Sequence, residues 1–156
     1  MIYTIKPNSH YSSIIPKIVC KNYIKGTITF LNDVEYEITR QGDTNKIIGL
    51  SDNWHHHKDS IRIGWRYYKG KRQIMTIAYV NGKRSISYLC DFEVGKTYDF
   101  EVYIEKNFYF VFFGGLINQK IIKRHSTWNY PRLLLKPYFG GKETTNKEFK
   151  IKIDLK

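Results

Sequence analysis

At 156 residues the chain has the length of one ordinary domain, and a composition of 42% hydrophobic and 16% aromatic residues supplies a packed core and excludes a disordered polymer. No apolar run reaches the roughly eighteen residues of a membrane-spanning helix, and MIYTIKPNSHYS at the start lacks the apolar stretch and cleavage site of a secretory signal. Lysine and arginine number 26 against 14 acidic residues, a formal charge of +12 that favours acidic partners but, spread thinly along the chain, marks no dedicated basic tail.

In chain order, residues 1–6 read as an opening strand ended by Pro7-Asn8-Ser9. Residues 17–23 read as a short edge strand beyond Pro16. Strands are expected at 27–31 and 34–38, separated by Asn32-Asp33, with Val34, Tyr36 and Ile38 opposing Glu35 and Glu37. A polar loop over 41–46 precedes an apolar strand at 47–50. The connection Ser51-Asp52-Asn53-Trp54-His55-His56-His57-Lys58-Asp59 is the most polar in the chain and the functional loop on positional grounds.

The centre of the chain follows. Over 60–68, Ile61, Ile63 and Trp65 fall on one face, and Arg62, Gly64 and Arg66 on the other. Lys69-Gly70 and Asn81-Gly82 are tight-turn signals, Asn-Gly being the strongest for a type I′ hairpin. The strand between them, 73–80, is apolar on both faces, so it belongs inside a sheet, and 84–90 completes a three-stranded meander. Residues 97–105 and 108–113 form a second hairpin about Lys106-Asn107, placed beside the meander or facing it across the core. Residues 116–124 fit either a helical turn or an edge strand. A loop at 125–131 carries Trp128 and Tyr130, 133–135 resumes the sheet, and 148–155 alternates cleanly. About ten or eleven strands without a long helix predict an all-β, two-sheet antiparallel β-sandwich of jelly-roll type, a single domain over 1–156.

The chemistry-bearing residues are few. Cys20 and Cys90 have no metal-site spacing and are expected as free core thiols. Consecutive histidines in an extended loop point apart, so His55–His56–His57 do not share a metal; His57 is kept as a ligand contact that titrates near neutrality. No metal or cofactor is expected. Arg62 and Arg66 with Tyr79 of the neighbouring strand would form a shallow cup of guanidinium and aromatic groups, suited to carboxylate, phosphate or sugar. The alternative is that Glu35, Glu37, Asp99 or Glu101 pairs with these arginines. Asp99, Glu101 and Glu105 do not match the alternating carboxylates of a glucanase, Gln-x-His is absent, and no elbow glycines place Ser60 for attack. The chain also lacks an aromatic–basic motif of the nucleic-acid modules, so nucleic acid is disfavoured as a partner.

The segment from His56 to Arg66, the Tyr79-Val80-Asn81-Gly82 hairpin and Pro137-Tyr138-Phe139-Gly140-Gly141 before a basic–apolar closing strand resemble a small family of gut Bacteroidetes and their tailed phages. That family is similar to concanavalin-like lectin and glucanase jelly rolls. The match runs from about Gly49 to Leu155; where family members carry Pro-His-Asp, this chain has Thr144-Thr145-Asn146-Lys147. The resemblance implies a concanavalin-like sandwich. With the missing catalytic set it implies a non-enzymatic structural or surface protein, in its specific form an auxiliary (decoration) protein on a phage capsid. Such a protein would be made in the host cytoplasm, sit on the virion surface and dock through its positive charge on an acidic protein lattice. The alternative is a carbohydrate-binding module for neutral or acidic glycans, using Trp54, His57, Arg62, Arg66, Tyr79, Trp128 and Tyr138. A polysaccharide lyase or hydrolase ranks third.

Overall fold

The computed structural model describes residues 1–12, 17–36, 43–129, 131–141 and 143–156. Its strands are β1 (Ile2–Ile5), β2 (Lys17–Val19), β3 (Tyr23–Phe30), β4 (Asn45–Ser51), β5 (Ser60–Tyr68), β6 (Lys71–Val80), β7 (Lys83–Asp91), β8 (Thr97–Ile104), β9 (Phe108–Phe113), β10 (Gln119–Lys123), β11 (Arg132–Leu135) and β12 (Phe149–Leu155). They build two antiparallel six-stranded sheets, the first ordered β1-β12-β3-β8-β9-β10 and the second β2-β11-β4-β5-β6-β7. This is the concanavalin-like jelly-roll sandwich, with no helix among the described residues.

The meander β5-β6-β7 fills one edge of the second sheet because both its turns supply the positive φ that a right-twisted hairpin needs: Lys69 and Gly70 at 50° and 72°, Asn81 and Gly82 at 50° and 77°. The β8-β9 hairpin lies in the first sheet, so of the two expected placements it takes the one across the core. Between the sheets, period-two alternation delivers Ile61, Ile63 and Trp65 from β5, Phe100 and Val102 from β8, Val111 and Phe113 from β9, and Phe149, Ile151 and Ile153 from β12. Trp65 is wholly buried at the centre, its ring edge-on to Phe30, Tyr36 and Phe149 at 5.2–5.5 Å.

Two expectations change and one open alternative is resolved. Val34–Tyr36 is not a strand, although Val34 and Tyr36 are buried. Side-chain hydrogen bonds, one local and two across the fold, win there: Asp33 Oδ1 accepts from Glu35 N at 2.9 Å, while Asn32 accepts from Lys150 N at 2.7 Å and donates to Glu148 O, so the chain turns into the core. Ile38 and Glu37 lie outside the described residues. The ambiguous 116–124 segment resolves as edge strand β10, paired to β9 from Gln119↔Phe112 to Lys123↔Phe108. Cys20 is exposed rather than in the core, and both cysteines are free.

Candidate functional site

In an antiparallel ladder, directly opposed residues share a face. On the outer face of the second sheet this gives three rows. Arg84, Tyr79 and Ser60 stand opposite one another on β7, β6 and β5. Next come Ile86, Ile77, Arg62 and Gly49, then Met75, Gly64 and Lys46, the last bridged to Tyr138. The irregularity between Lys46 and Ile48 is what turns Lys46 to this face.

Arg62 is the centre of this surface. A Cβ on Gly49 would come within 2.7 Å of Arg62 Cγ, so the glycine is what allows the arginine stem to lie across β4. The side chain does not stand in the open cup expected for it. It is 8% exposed, and among the described residues its Nε has no hydrogen-bond acceptor and no carboxylate pairs with it. Burial lowers its pKa to about 10, partly offset by Tyr79. The expected ionic alternative is also absent among the described residues: Glu35 pairs with Arg72 at 2.6 Å, Asp99 with Lys156 at 3.3 Å, and Glu101 accepts from Tyr103 OH at 2.6 Å.

Further cations converge on Arg62. Lys46 Nζ donates to Gly140 O at 2.7 Å and lies 4.9 Å from the centre of the Tyr138 ring. Burial lowers its pKa to about 8; Asp43 opposes this, and Arg62 and Arg84 add to it. Arg84 meets Asp43 at 3.8 Å. The exposed His57 ring lies 5.2 Å from that of Tyr79, its pKa lowered by burial and then by Arg62, Lys46 and Arg84. His56 falls to about 4 through burial, with Arg62 again contributing. The histidine loop is pinned by Asp59, which accepts from Asn53 Nδ2 at 3.1 Å and from Asn81 N at 2.9 Å, tying it to the Asn81-Gly82 turn. Tyr138 completes the set, stacked on His10 at 5.3 Å and edge-on to Tyr11 at 5.1 Å.

The structure therefore brings together Arg62, Tyr79, His57 and Tyr138. It does not bring in the other candidates. Arg66 donates through Nε to Gln73 Oε1 at 2.8 Å and lies against Tyr68. Trp54 is exposed and has no ring contact among the described residues. Trp128 belongs to a separate buried network: its carbonyl accepts from Arg124 and Arg132, and its Nε1 donates to Pro131 O at 2.8 Å. Both arginines grip the buried Asp52, to which Tyr109 OH also donates at 2.8 Å. Sequence reasoning missed Lys46, Arg84 and Asp43, and weighed His56 within the histidine run without keeping it. Arg84 was recoverable, since a two-residue turn at Asn81-Gly82 sets Tyr79 opposite Arg84. Lys46 was not, because nothing local announces the irregularity that turns it outward.

No family model and no curated protein sequence matches the chain. Among solved structures it is similar to the alginate lyase AlyC3 (12% identity, TM-score 0.65, covering 99% of this chain and 74% of that one). It is also similar to an alginate lyase from Pseudomonas aeruginosa (9% identity, TM-score 0.59, 86% and 62%). A third is the catalytic domain of an endo-1,3-β-glucanase, a laminarinase, from Thermotoga petrophila (14% identity, TM-score 0.57, 89% and 63%). The chain spans under two-thirds of the Pseudomonas and Thermotoga proteins. These likenesses establish the fold. They also correct the non-enzymatic expectation, which leaned on missing motifs: many of the proteins sharing this architecture are enzymes, so the fold is enzyme-associated.

Proposed function

We propose that the outer face of the second sheet binds an acidic polysaccharide, a polyuronate. The observation that carries this reading is Arg62, a buried guanidinium whose Nε has no partner among the described residues, with Lys46 and Arg84 beside it and Asp43 as their countercharge. Leaving such a group unpaired is unfavourable unless something else neutralises it; a sugar carboxylate matches a guanidinium fork, and Tyr79 and Tyr138 offer ring surface to the pyranose. The alginate lyases that share the fold support this ligand class. Calorimetric titration with polymannuronate and polyguluronate tests it. Binding should weaken with added salt, and Arg62→Gln should reduce affinity by at least about tenfold. Polyuronate binding that Arg62→Gln leaves unchanged overturns the reading.

A second reading, cleavage by β-elimination, is favoured by His57, which stands beside Tyr79 and whose pKa is lowered by burial and by Arg62, a shift towards the base form. Neutralising the uronate carboxylate acidifies the adjacent C5–H. His57 would take that proton, the C4–O bond would break as the C4=C5 double bond forms, and Tyr79 OH would protonate the departing oxygen. Its test is the ultraviolet absorbance of the unsaturated uronate end. A lyase shows it growing with time and loses it in His57→Gln and Tyr79→Phe; a flat trace sinks this reading and leaves binding standing. The capsid-accessory role draws its support from the sequence resemblance. On a particle, this face would be the part that adheres to glycan, and electron microscopy of virions for density of this size tests it.

A further inference from the structure

The outer face of the first sheet is built from different chemistry. Tyr23, Tyr103, Phe110 and Ile121 stand opposite one another across β3, β8, β9 and β10, and Phe112 stands opposite Glu101. The rings form a connected surface: Tyr23 against Tyr103 at 5.9 Å, Phe112 edge-on to Tyr103 at 6.2 Å. Beside Phe112 lies a hollow of about 320 Å³ walled by Lys25, Asp99, Glu101, Leu116 and Lys156. The β9–β10 connection, with Gly114 and Gly115 at φ of 64° and 119°, stands Leu116 at its rim, 77% exposed.

We propose that this hollow and the ring surface beside it bind a neutral oligosaccharide, at a site separate from the Arg62 face. Two ammonium groups and two carboxylates line the hollow, so their formal charges cancel where the Arg62 cluster has a cationic excess. Hydroxyls both donate and accept, and suit walls that alternate acceptor carboxylates with donor ammoniums. The apolar C–H face of a pyranose suits Phe112, and the next units follow Tyr103 and Tyr23. A volume near 320 Å³ lies at the small end of ligand sites. A second copy of the chain is the poorer occupant, because a charge of +12 repels itself.

The test is a titration of the full chain with a soluble β-1,3-glucan hexasaccharide and with a cello-oligosaccharide, followed by backbone and side-chain chemical shifts. At least one sugar should saturate shifts around Phe112, Tyr103 and Lys156. Phe112→Ala and the exposed Leu116→Asp, which leaves the core alone, should each weaken binding by about tenfold, and Arg62→Gln should leave it unchanged. Absence of saturable shifts with either sugar overturns the proposal. So does binding abolished by Arg62→Gln, or a concentration-dependent dimer that Phe110→Ser dissolves, since the face would then belong to self-association. Polyuronate binding is read through Arg62 and neutral binding through Phe112 and Leu116, so either can fail alone.

Discussion

Replacing Arg62 with methionine should raise stability while removing polyuronate binding. Arg62 is 8% exposed, and its Nε lacks a partner among the described residues. Burial lowers its pKa from 12.5 to about 10, a differential penalty on the charged form of ~3 kcal/mol. Replacing even a buried ion pair by well-packed apolar residues of similar volume is often neutral or stabilising by about 1–4 kcal/mol, and an unpaired buried charge lacks the attraction that offsets its desolvation. Methionine is flexible enough to follow the arginine stem across Gly49, so a gain of about 1–3 kcal/mol is expected. A base with a depressed folded-state pKa destabilises fully below that pKa and is relieved only as pH rises through it. The part of the gain that comes from Arg62's own desolvation should therefore be constant across the neutral range. Urea denaturation of both proteins at two pH values between 6 and 8 measures it, and calorimetry with polymannuronate reads the lost affinity. A loss of more than about 2 kcal/mol would show that the guanidinium is satisfied inside the fold, and the argument for an anion ligand would collapse with it.

Lys46, with a pKa of about 8 against an ordinary 10.5, should lose its charge as pH rises through 8 and weaken polyuronate binding there. Over the same window up to 10.5 the unfolded chain holds the extra proton, so stability should rise with pH, and Lys46→Met should flatten both dependences. His56 is the acid-side counterpart: its pKa of about 4 lies below the ordinary 6.5, so stability should fall as pH drops from 6.5 towards 4, less so in His56→Gln, as thermal melts would show. Trp65→Ala should destabilise by about 3–5 kcal/mol in denaturant melts, the cost of deleting a fully buried ring. Asp52→Asn should lose a comparable ~3–5 kcal/mol by leaving the Arg124 and Arg132 charges without their carboxylate, and a change under 1 kcal/mol would refute that reading.

What this sequence determines by itself is local. The turn signals at Lys69-Gly70 and Asn81-Gly82 and the alternation of Ile61, Ile63 and Trp65 against Arg62 and Arg66 set the central meander, because strand period and turn sterics act between near neighbours. The same forces made β8, β9 and β12 legible, and the sandwich with them. Val34–Tyr36 misled because alternation was the visible signal, whereas the hydrogen bonds of Asn32 to Glu148 and Lys150 reach 116 and 118 residues along the chain. Whether Arg62 would be open or buried, paired or alone, depended on β4 laying Gly49 beside it and on carboxylates spending themselves elsewhere, as Glu35 does on Arg72. Lys46 reached the site through an irregularity in β4, and Trp128 left it for the Asp52 network, which joins residues 72 and 80 positions apart. Strand periodicity acts over a few residues and is written in the chain, but burial and charge balance are sums over neighbours that only the closed sandwich brings together.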